Sequence, residues 1–137
     1  MTSTVLADLA PDLESVAGAC NLSVEQVIAA HLAGDYAVYL YGFAPGYAYL
    51  AGTPRSIQLP RKPAPVRDVP AGTVIIAGPQ CIVTTLQMPA GWWRIGRSPT
   101  PILREDEARP FLFDVGDRVC FKRITRNDYD TAMKARG

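Results

Sequence analysis

The density of proline and glycine through the middle of the chain limits what it can fold into. The 137 residues contain 12 prolines and 11 glycines, and most of these lie between positions 42 and 101. Proline breaks helices and both residue types mark turns, so this region must consist of short strands joined by turns. We therefore expect a mostly β (α+β) fold without long helices in this region.

Two short helices are predicted before this region. The first spans residues 12–20, with Asp12 as its N-cap. The second begins at Ser23, which can form a capping box with Gln26, and ends at Gly34. In a capping box, each side chain accepts a hydrogen bond from the other residue's backbone amide.

Short strand patterns follow from Tyr36 onward. Aromatic and β-branched runs bounded by turns predict strands over residues 36–41, 73–77, 81–88, 92–96, 111–113 and 118–124. A curved sheet or a closed β-barrel would accommodate them, and closure is favoured because it removes exposed strand edges. The polar tail after Thr125 is expected to fray or to form a short terminal helix.

The composition is that of an ordinary globular domain. Hydrophobic residues make up 48% of the chain, and the formal net charge is +1. Such a balance gives no overall attraction for nucleic acid or an anionic membrane, so neither is expected as a partner. No run reaches the roughly 20 apolar residues that span a bilayer, and the first residues do not resemble a signal peptide.

The cysteines indicate a reducing compartment. Cys20, Cys81 and Cys120 are widely spaced, and each lies among apolar neighbours, which predicts buried free thiols and a cytoplasmic protein. With a single histidine and no Cys-x-x-Cys motif, no metal site is expected.

Four motifs in a fixed order carry a family resemblance. The chain reads YLYGFAPGYAYLAG from Tyr39, LPRKPAPVRDVPAGTVIIAGPQ from Leu59, MPAGWWRIGRSP from Met88 and GDRVCF from Gly116. Together they resemble the C-terminal domain of the family of the 5-oxoprolinase B subunit, also called allophanate hydrolase subunit 1. The same domain is similar to half of the carboxyltransferase part of urea carboxylases and to a bacterial inhibitor of a sporulation histidine kinase.

The resemblance implies a cyclophilin-like closed β-barrel with two N-terminal helices. It also implies that residues 1–137 form a single carboxyltransferase subdomain, and that the family's further N-terminal domain is absent from this sequence. The sequence departs from the family pattern at several positions, and in the longest departure residues 79–85 replace a Gly-Gln-Thr-Gly-Ile-Tyr-Pro run, of which Gln80 remains.

The glycine-rich loop after the first predicted strand is one candidate binding segment. It contains Phe43, Pro45 and Gly46, and glycine would allow backbone amides to approach an anionic or carbonyl ligand closely. The alternative is that the glycines only make turns while the aromatic residues pack.

Polar side chains supply further binding candidates. The planar guanidinium of Arg61 suits a carboxylate, and the Gln80 amide can both donate to and accept from a lactam or urea group. The resemblance adds Tyr49 and Arg97 as residues that face substrate. Purely structural alternatives are a solvated charge for Arg61, a satisfied strand end for Gln80, and an ion pair to Asp117 for Arg97.

Two tryptophans and the histidine complete the set. Trp92 and Trp93 are adjacent in a predicted strand, so they must point to opposite faces; Trp92 is counted among the substrate-binding candidates. His31 has the chemistry of a general base, but its place on the apolar stripe of the second helix favours a packed, hydrogen-bonded side chain. No catalytic residue is assigned.

The resemblance implies two alternative functions. As an enzyme subunit, the chain would form part of the substrate groove of an ATP-dependent 5-oxoprolinase, or of a related complex that hydrolyses amides or lactams. It would bind no cofactor itself, ATP being used elsewhere in the complex, and its partner would be a C-type companion protein (allophanate hydrolase subunit 2) or a second copy of itself. The alternative is a catalytically inactive module that binds a small molecule or peptide, as the kinase inhibitor does. Prolyl isomerase activity is suggested by fold analogy alone.

Overall fold

A six-stranded antiparallel sheet and three helices make up most of the fold. The computed structural model describes residues 2–3, 9–42, 45–103, 108 and 110–136, with residues 2–3 described through their backbone alone. The helices are α1 (Leu13–Cys20), α2 (Val24–Ala33) and α3 (Arg126–Arg136). The strands are β1 (Thr2–Ser3), β2 (Tyr36–Tyr41), β3 (Ala48–Ala51), β4 (Val66–Val69), β5 (Thr73–Ala77), β6 (Gln80–Val83), β7 (Met88–Ala90), β8 (Trp93–Arg97), β9 (Arg118–Val119) and β10 (Lys122–Arg123).

The main sheet has the strand order β8-β5-β6-β3-β2-β9, and every neighbouring pair is antiparallel. β4 and β7 form a separate antiparallel pair, and β1 pairs with β10 in parallel. The predicted α+β class is confirmed.

The predicted closure into a barrel is wrong for the described part of the chain. The main sheet ends in two edges, β8 and β9. At β8 the start of α1 occupies the edge: the Asp12 backbone amide donates to the Arg94 carbonyl oxygen at 3.1 Å, and the Arg94 amide donates to the Asp12 carboxylate at 2.9 Å. These bonds satisfy the backbone amide and carbonyl of Arg94, which a further strand would pair in a closed barrel.

The two predicted N-terminal helices are present, with one difference at a cap. The capping box of α2 is confirmed: the Gln26 amide donates to Ser23 Oγ at 3.1 Å, and the Ser23 amide donates to Gln26 Oε1 at 2.8 Å. Asp12 does precede α1, but its side chain caps no helix amide, so its predicted capping role is wrong. The carboxylate bonds to β8 instead. None of the helices in the described ranges is long and apolar enough to cross a membrane.

Strands 36–41 and 73–77 are confirmed with the same bounds, whereas others are shorter than predicted. The run 81–88 divides into β6 and β7, because β7 leaves the main sheet to pair with β4. The run 118–124 divides into β9 and β10, which pair with different partners. Residues 111–113 form no strand; Phe111 makes a single isolated bridge to Leu103.

Apolar side chains pack on both faces of the main sheet. Successive strand residues point to opposite faces, and this alternation separates two clusters. The larger cluster lies under α1 and α2, and its strand residues are Tyr36, Val38, Ala48, Leu50, Val74, Ile76, Cys81, Val83, Ile95 and Val119. The smaller cluster lies on the other face, with Met88 and Ala90 of β7 against it, and consists of Tyr47, Ile75, Ala77, Ile82 and Trp92.

The predicted burial of the cysteines holds for one of the three. Cys81 lies on the core face of β6 and is buried. Cys20 is half-buried at the end of α1. Cys120 is exposed because its neighbours Val119 and Phe121 are the residues that point into the core.

Candidate functional site

A cavity lies on the sheet face opposite the helices. Its volume is about 140 Å³, and it is lined by Tyr47, Tyr49, Arg61, Ile75, Ile82, Pro89, Ala90, Gly91 and Trp92. Pockets that hold drug-sized ligands occupy about 300–1,000 Å³, so this cavity suits a smaller molecule.

The floor of the cavity is apolar. Ile75 of β5 and Ile82 of β6 are direct partners in the antiparallel register, so their side chains lie side by side on the same face. Both are buried. The floor therefore offers a ligand hydrophobic contact without hydrogen bonds.

Aromatic rings form the wall. Tyr49 and Trp92 pack edge-on, with their ring centroids 6.0 Å apart and their planes at 80°. Tyr47 lies next to this pair. Burial raises the pKa of its hydroxyl, and the nearby Tyr49 raises it further by a smaller amount. This hydroxyl therefore stays protonated at neutral pH and donates a 3.5 Å hydrogen bond to the Leu86 carbonyl oxygen.

The predicted opposition of Trp92 and Trp93 is confirmed. Trp92 belongs to the cluster on the cavity face, whereas Trp93 packs against the cluster under the helices. The indole N–H of Trp93 donates to the Pro60 carbonyl oxygen at 2.7 Å. The segment that precedes Arg61 is therefore anchored on β8.

Arg61 is the one charged side chain among the described residues that line the cavity. Its neighbour Lys62 holds the segment in place, because the Lys62 amide donates to the Gly91 carbonyl oxygen at 2.8 Å. Arg61 is exposed, and within the described ranges its side chain makes no hydrogen bond or ion pair. Its guanidinium could therefore bind an anion that enters the cavity.

A buried ion cluster lies on the other side of the same segment. The Asp12 carboxylate accepts hydrogen bonds from Lys62 Nζ at 2.6 Å and from Arg94 Nε at 2.8 Å. Burial raises the pKa of Asp12, but the bonds donated by Arg94 and Lys62 outweigh it and lower this pKa to about 2. Asp12 is therefore ionised at neutral pH.

Gln80 lies beside the cavity but does not line it. Its Nε2 donates to the Tyr39 hydroxyl oxygen, and the Tyr39 ring packs edge-on against Tyr49 with centroids 6.3 Å apart. Gln80 is thus linked to the aromatic wall by Tyr39. The sequence pattern did not identify Tyr39 as a candidate.

The glycine-rich loop is near the cavity without lining it. Gly46 has a φ of 76°, and a Cβ there would lie 2.8 Å from Leu103 Cδ2 and 2.9 Å from Thr85 Cγ2. The Pro45 carbonyl oxygen accepts a 2.6 Å hydrogen bond from Thr85 Oγ1. Pro45 and Gly46 therefore shape the turn that delivers Tyr47, and Phe43 lies outside the described residues.

Arg97 is separated from the cavity. It lies at the far end of β8, opposite Thr73, and its Nη1 is 3.5 Å from the Tyr129 hydroxyl of α3. Its Nε is buried with no hydrogen-bond partner among the described residues. The expected alternative, an ion pair between Arg97 and Asp117, is not present among the described residues; Arg97 contacts the Tyr129 hydroxyl instead.

His31 is packed in the core, as the sequence pattern favours. Its Nδ1 lies 2.8 Å from the Tyr36 hydroxyl, which donates to the His31 carbonyl oxygen at 3.0 Å. The ring also stacks at a tilt on Phe121, with centroids 4.5 Å apart. Burial lowers the pKa of His31 to about 4, so the imidazole is neutral.

Of the predicted site residues, the structure brings together Tyr49, Arg61 and Trp92. The cavity residues that sequence reasoning missed are Tyr47, Ile75, Ile82 and the stretch 89–91. Period-two alternation along β5 and β6 could have identified the floor, because Ile75 and Ile82 are out of phase with the residues under the helices. Within the described residues, no group of three or more His, Cys, Asp or Glu side chains could hold a metal ion.

Comparison with known proteins gives a family match over most of the chain. The family model for the carboxyltransferase domain, subdomain C and D, matches residues 6–113. The chain is 45% identical to the 5-oxoprolinase B subunit of Bacillus subtilis over 122 residues, covering 89% of this chain and 51% of the relative. It is 40% identical to the 5-oxoprolinase B subunit of Escherichia coli O157:H7 over 111 residues, covering 81% and 51%. The chain thus spans about half the length of these relatives.

Solved structures agree with this match. A conserved uncharacterized protein from Pyrococcus horikoshii superposes with a TM-score of 0.88 at 37% identity, covering 94% of this chain and 60% of that one. The urea amidolyase of K. lactis superposes with a TM-score of 0.76 at 16% identity, covering 94% of this chain and 9% of that one. The second match supports the fold alone.

Proposed function

Because this chain belongs to the family of the carboxyltransferase domain, subdomain C and D, we propose that it is a non-ATP-binding part of an ATP-dependent 5-oxoprolinase. It works in the cytoplasm and forms one wall of the substrate groove. ATP is used by another component of the complex, and this chain binds no cofactor of its own.

The observation that carries this proposal is the Arg61 guanidinium beside an apolar and aromatic cavity, without an ion-pair partner among the described residues. 5-Oxoproline combines a carboxylate with a small lactam ring. A guanidinium can hold the carboxylate through two parallel hydrogen bonds, and the ring can lie against Ile75, Ile82 and the Trp92 indole. The small cavity volume suits a five-membered ring.

The cavity lining also supports a division of roles between this chain and a companion protein. Its described residues include no carboxylate and no imidazole, the usual groups for general acid–base chemistry. This chain therefore binds and orients the substrate, and a companion protein of the C type supplies the remaining groups. The relatives are named as one lettered subunit of 5-oxoprolinase, which supports the existence of such a companion.

Reconstitution tests this proposal. The chain is co-expressed with a homologue of the 5-oxoprolinase C subunit and combined with the ATP-using subunit, and ATP-dependent hydrolysis of 5-oxoproline is measured with and without this chain. We expect a stable heteromer in size-exclusion chromatography and turnover that requires the chain.

One outcome would contradict the proposal, and a binding measurement on the same chain would show what replaces it. A self-associated chain that ignores the companion and adds no turnover would show that the enzyme role is wrong. If that chain still bound 5-oxoproline or a peptide, the result would instead favour a catalytically inactive binding module.

A further inference from the structure

We propose that Asp12 and Lys62 are positioning residues for Arg61: the buried Asp12 carboxylate holds Lys62, and Lys62 in turn fixes the backbone from which Arg61 reaches into the cavity. This inference rests on the proposed function, because it concerns how the substrate carboxylate is held. Neither residue lines the cavity.

Lys62 is tied down on three sides. Its Nζ donates to Asp12 Oδ1 at 2.6 Å and lies 5.1 Å from the centre of the Trp93 ring. Its backbone amide donates to the Gly91 carbonyl oxygen at 2.8 Å, and Gly91 is itself a cavity residue. A flexible lysine side chain is thereby held in one place.

Arg61 has no comparable support of its own. Its side chain makes no ion pair or hydrogen bond with the residues that the structure describes, and it lies on the cavity face while Lys62 lies on the face of Asp12. The two side chains leave adjacent residues of one backbone segment, so holding Lys62 in place also limits the directions that Arg61 can take. The orientation of Arg61 thus depends on its neighbours.

Asp12 joins three elements at this point. It immediately precedes α1, bonds to the backbone and side chain of Arg94 in β8, and binds Lys62 in the segment before β4. Its side chain is only 7% exposed. Loss of one partner leaves a charge in a poorly solvated site, so the cluster is maintained as a unit.

A double-mutant cycle in the reconstituted complex tests this inference. Lys62→Met retains the apolar stem on Trp93 but removes the bond to Asp12. We expect it to raise the KM for 5-oxoproline about fivefold with kcat little changed, because binding is weakened and the chemical groups remain. Arg61→Ala should raise KM about tenfold or more, since it removes the charge-assisted contact itself.

The decisive variant is the double substitution. If Lys62 acts through Arg61, the complex with both Lys62→Met and Arg61→Ala has the same KM as the complex with Arg61→Ala alone. Lys62→Arg keeps a positive charge beside Asp12 and should restore most of the affinity. Asp35→Asn, which breaks an exposed pair with Arg118, is the matched control and should leave KM unchanged.

Three results separate the explanations. Additive effects of Lys62→Met and Arg61→Ala, or an unchanged KM in Lys62→Met, overturn the positioning role while the proposed function stands. An unchanged KM in Arg61→Ala overturns the proposed function and this inference together. If Lys62→Met does not fold, Asp12→Asn is carried through the same cycle, with thermal unfolding midpoints measured for every variant.

Discussion

The Trp92 indole packs edge-on against the Tyr49 ring, with the two centroids 6.0 Å apart. This contact joins the residue that precedes β8 to β3, and these two strands are not neighbours in the sheet. Because Trp92 is buried and Tyr49 half-buried, the pair both closes the smaller apolar cluster and forms the wall of the cavity. One aromatic contact therefore contributes both to the packing of this face and to the shape of the cavity.

Trp92→Ala should lower the free energy of unfolding by about 3 kcal/mol, because a buried aromatic side chain is lost and its neighbours relax only in part. Urea denaturation followed by the fluorescence of the remaining Trp93 measures this. Tyr39→Ala is the control; Tyr39 is 39% exposed, so its loss should cost about 1 kcal/mol or less. Equal losses in the two variants would contradict the assigned packing.

Asp12→Asn should destabilise the protein by about 3 kcal/mol, because Lys62 and Arg94 would be left without their counter-charge in a largely buried site. Chemical denaturation at neutral pH checks this value. Asp35→Asn breaks an exposed pair and should cost less than about 1 kcal/mol. A loss in Asp12→Asn no larger than in Asp35→Asn would refute the role of the ion cluster.

Protonation of the Asp12 carboxylate should lower the stability of the protein at acid pH. The pKa of Asp12 is lowered from 3.8 to about 2 in the folded protein, so the unfolded state binds the proton first as pH falls. The stability that Asp12 contributes is therefore complete above pH 3.8 and is lost between pH 3.8 and 2. The difference in unfolding free energy between the native protein and Asp12→Asn should shrink across that window.

His31 should make stability depend on pH in a higher range than Asp12 does. Its pKa falls from 6.5 to about 4 on folding because the ring is buried, so between these values the unfolded state holds the extra proton. Stability should decline by about 3 kcal/mol as pH falls from 6.5 to 4. In His31→Gln, which does not titrate, this decline should be absent; an unchanged pH dependence would show that His31 is not its source.

Two glycines should respond in opposite directions to alanine. Gly52 has a φ of 127°, and a Cβ there would lie 2.7 Å from the Asp35 carbonyl carbon, so Gly52→Ala should cost more than about 2 kcal/mol. Gly18 lies exposed in α1 with open space around it, so Gly18→Ala should stabilise by about 0.5–1 kcal/mol. Thermal unfolding of both variants checks these signs.

Local sequence patterns predict the features that are set by residues close together in the chain. Ser23 and Gln26 are three positions apart and form the expected capping box, and strand alternation placed Trp92 and Trp93 on opposite faces. Residues 36–41 and 73–77 were also identified, because their strand patterns are uninterrupted.

Contacts between distant residues account for what the sequence did not predict. Asp12 has the residue type and position of an N-cap, yet its carboxylate binds Arg94, 82 positions away. Asp12 also bonds to the Arg94 backbone at the edge of β8, and such a contact between distant residues cannot be predicted from the strand pattern. Arg97 was placed with Arg61 through the family resemblance, but the packing of α3 beside β8 gives it Tyr129 as a neighbour instead.

The most direct test of whether Arg61 binds the substrate carboxylate is the KM for 5-oxoproline in the reconstituted complex. This KM is compared between Arg61→Ala and Arg67→Ala. Both arginines are exposed and lie in the same proline-rich segment, but of the two only Arg61 lines the cavity. A KM raised about tenfold or more in Arg61→Ala, with Arg67→Ala unchanged, is the predicted result. Equal KM values in the two variants would contradict the claim that this cavity binds the substrate carboxylate.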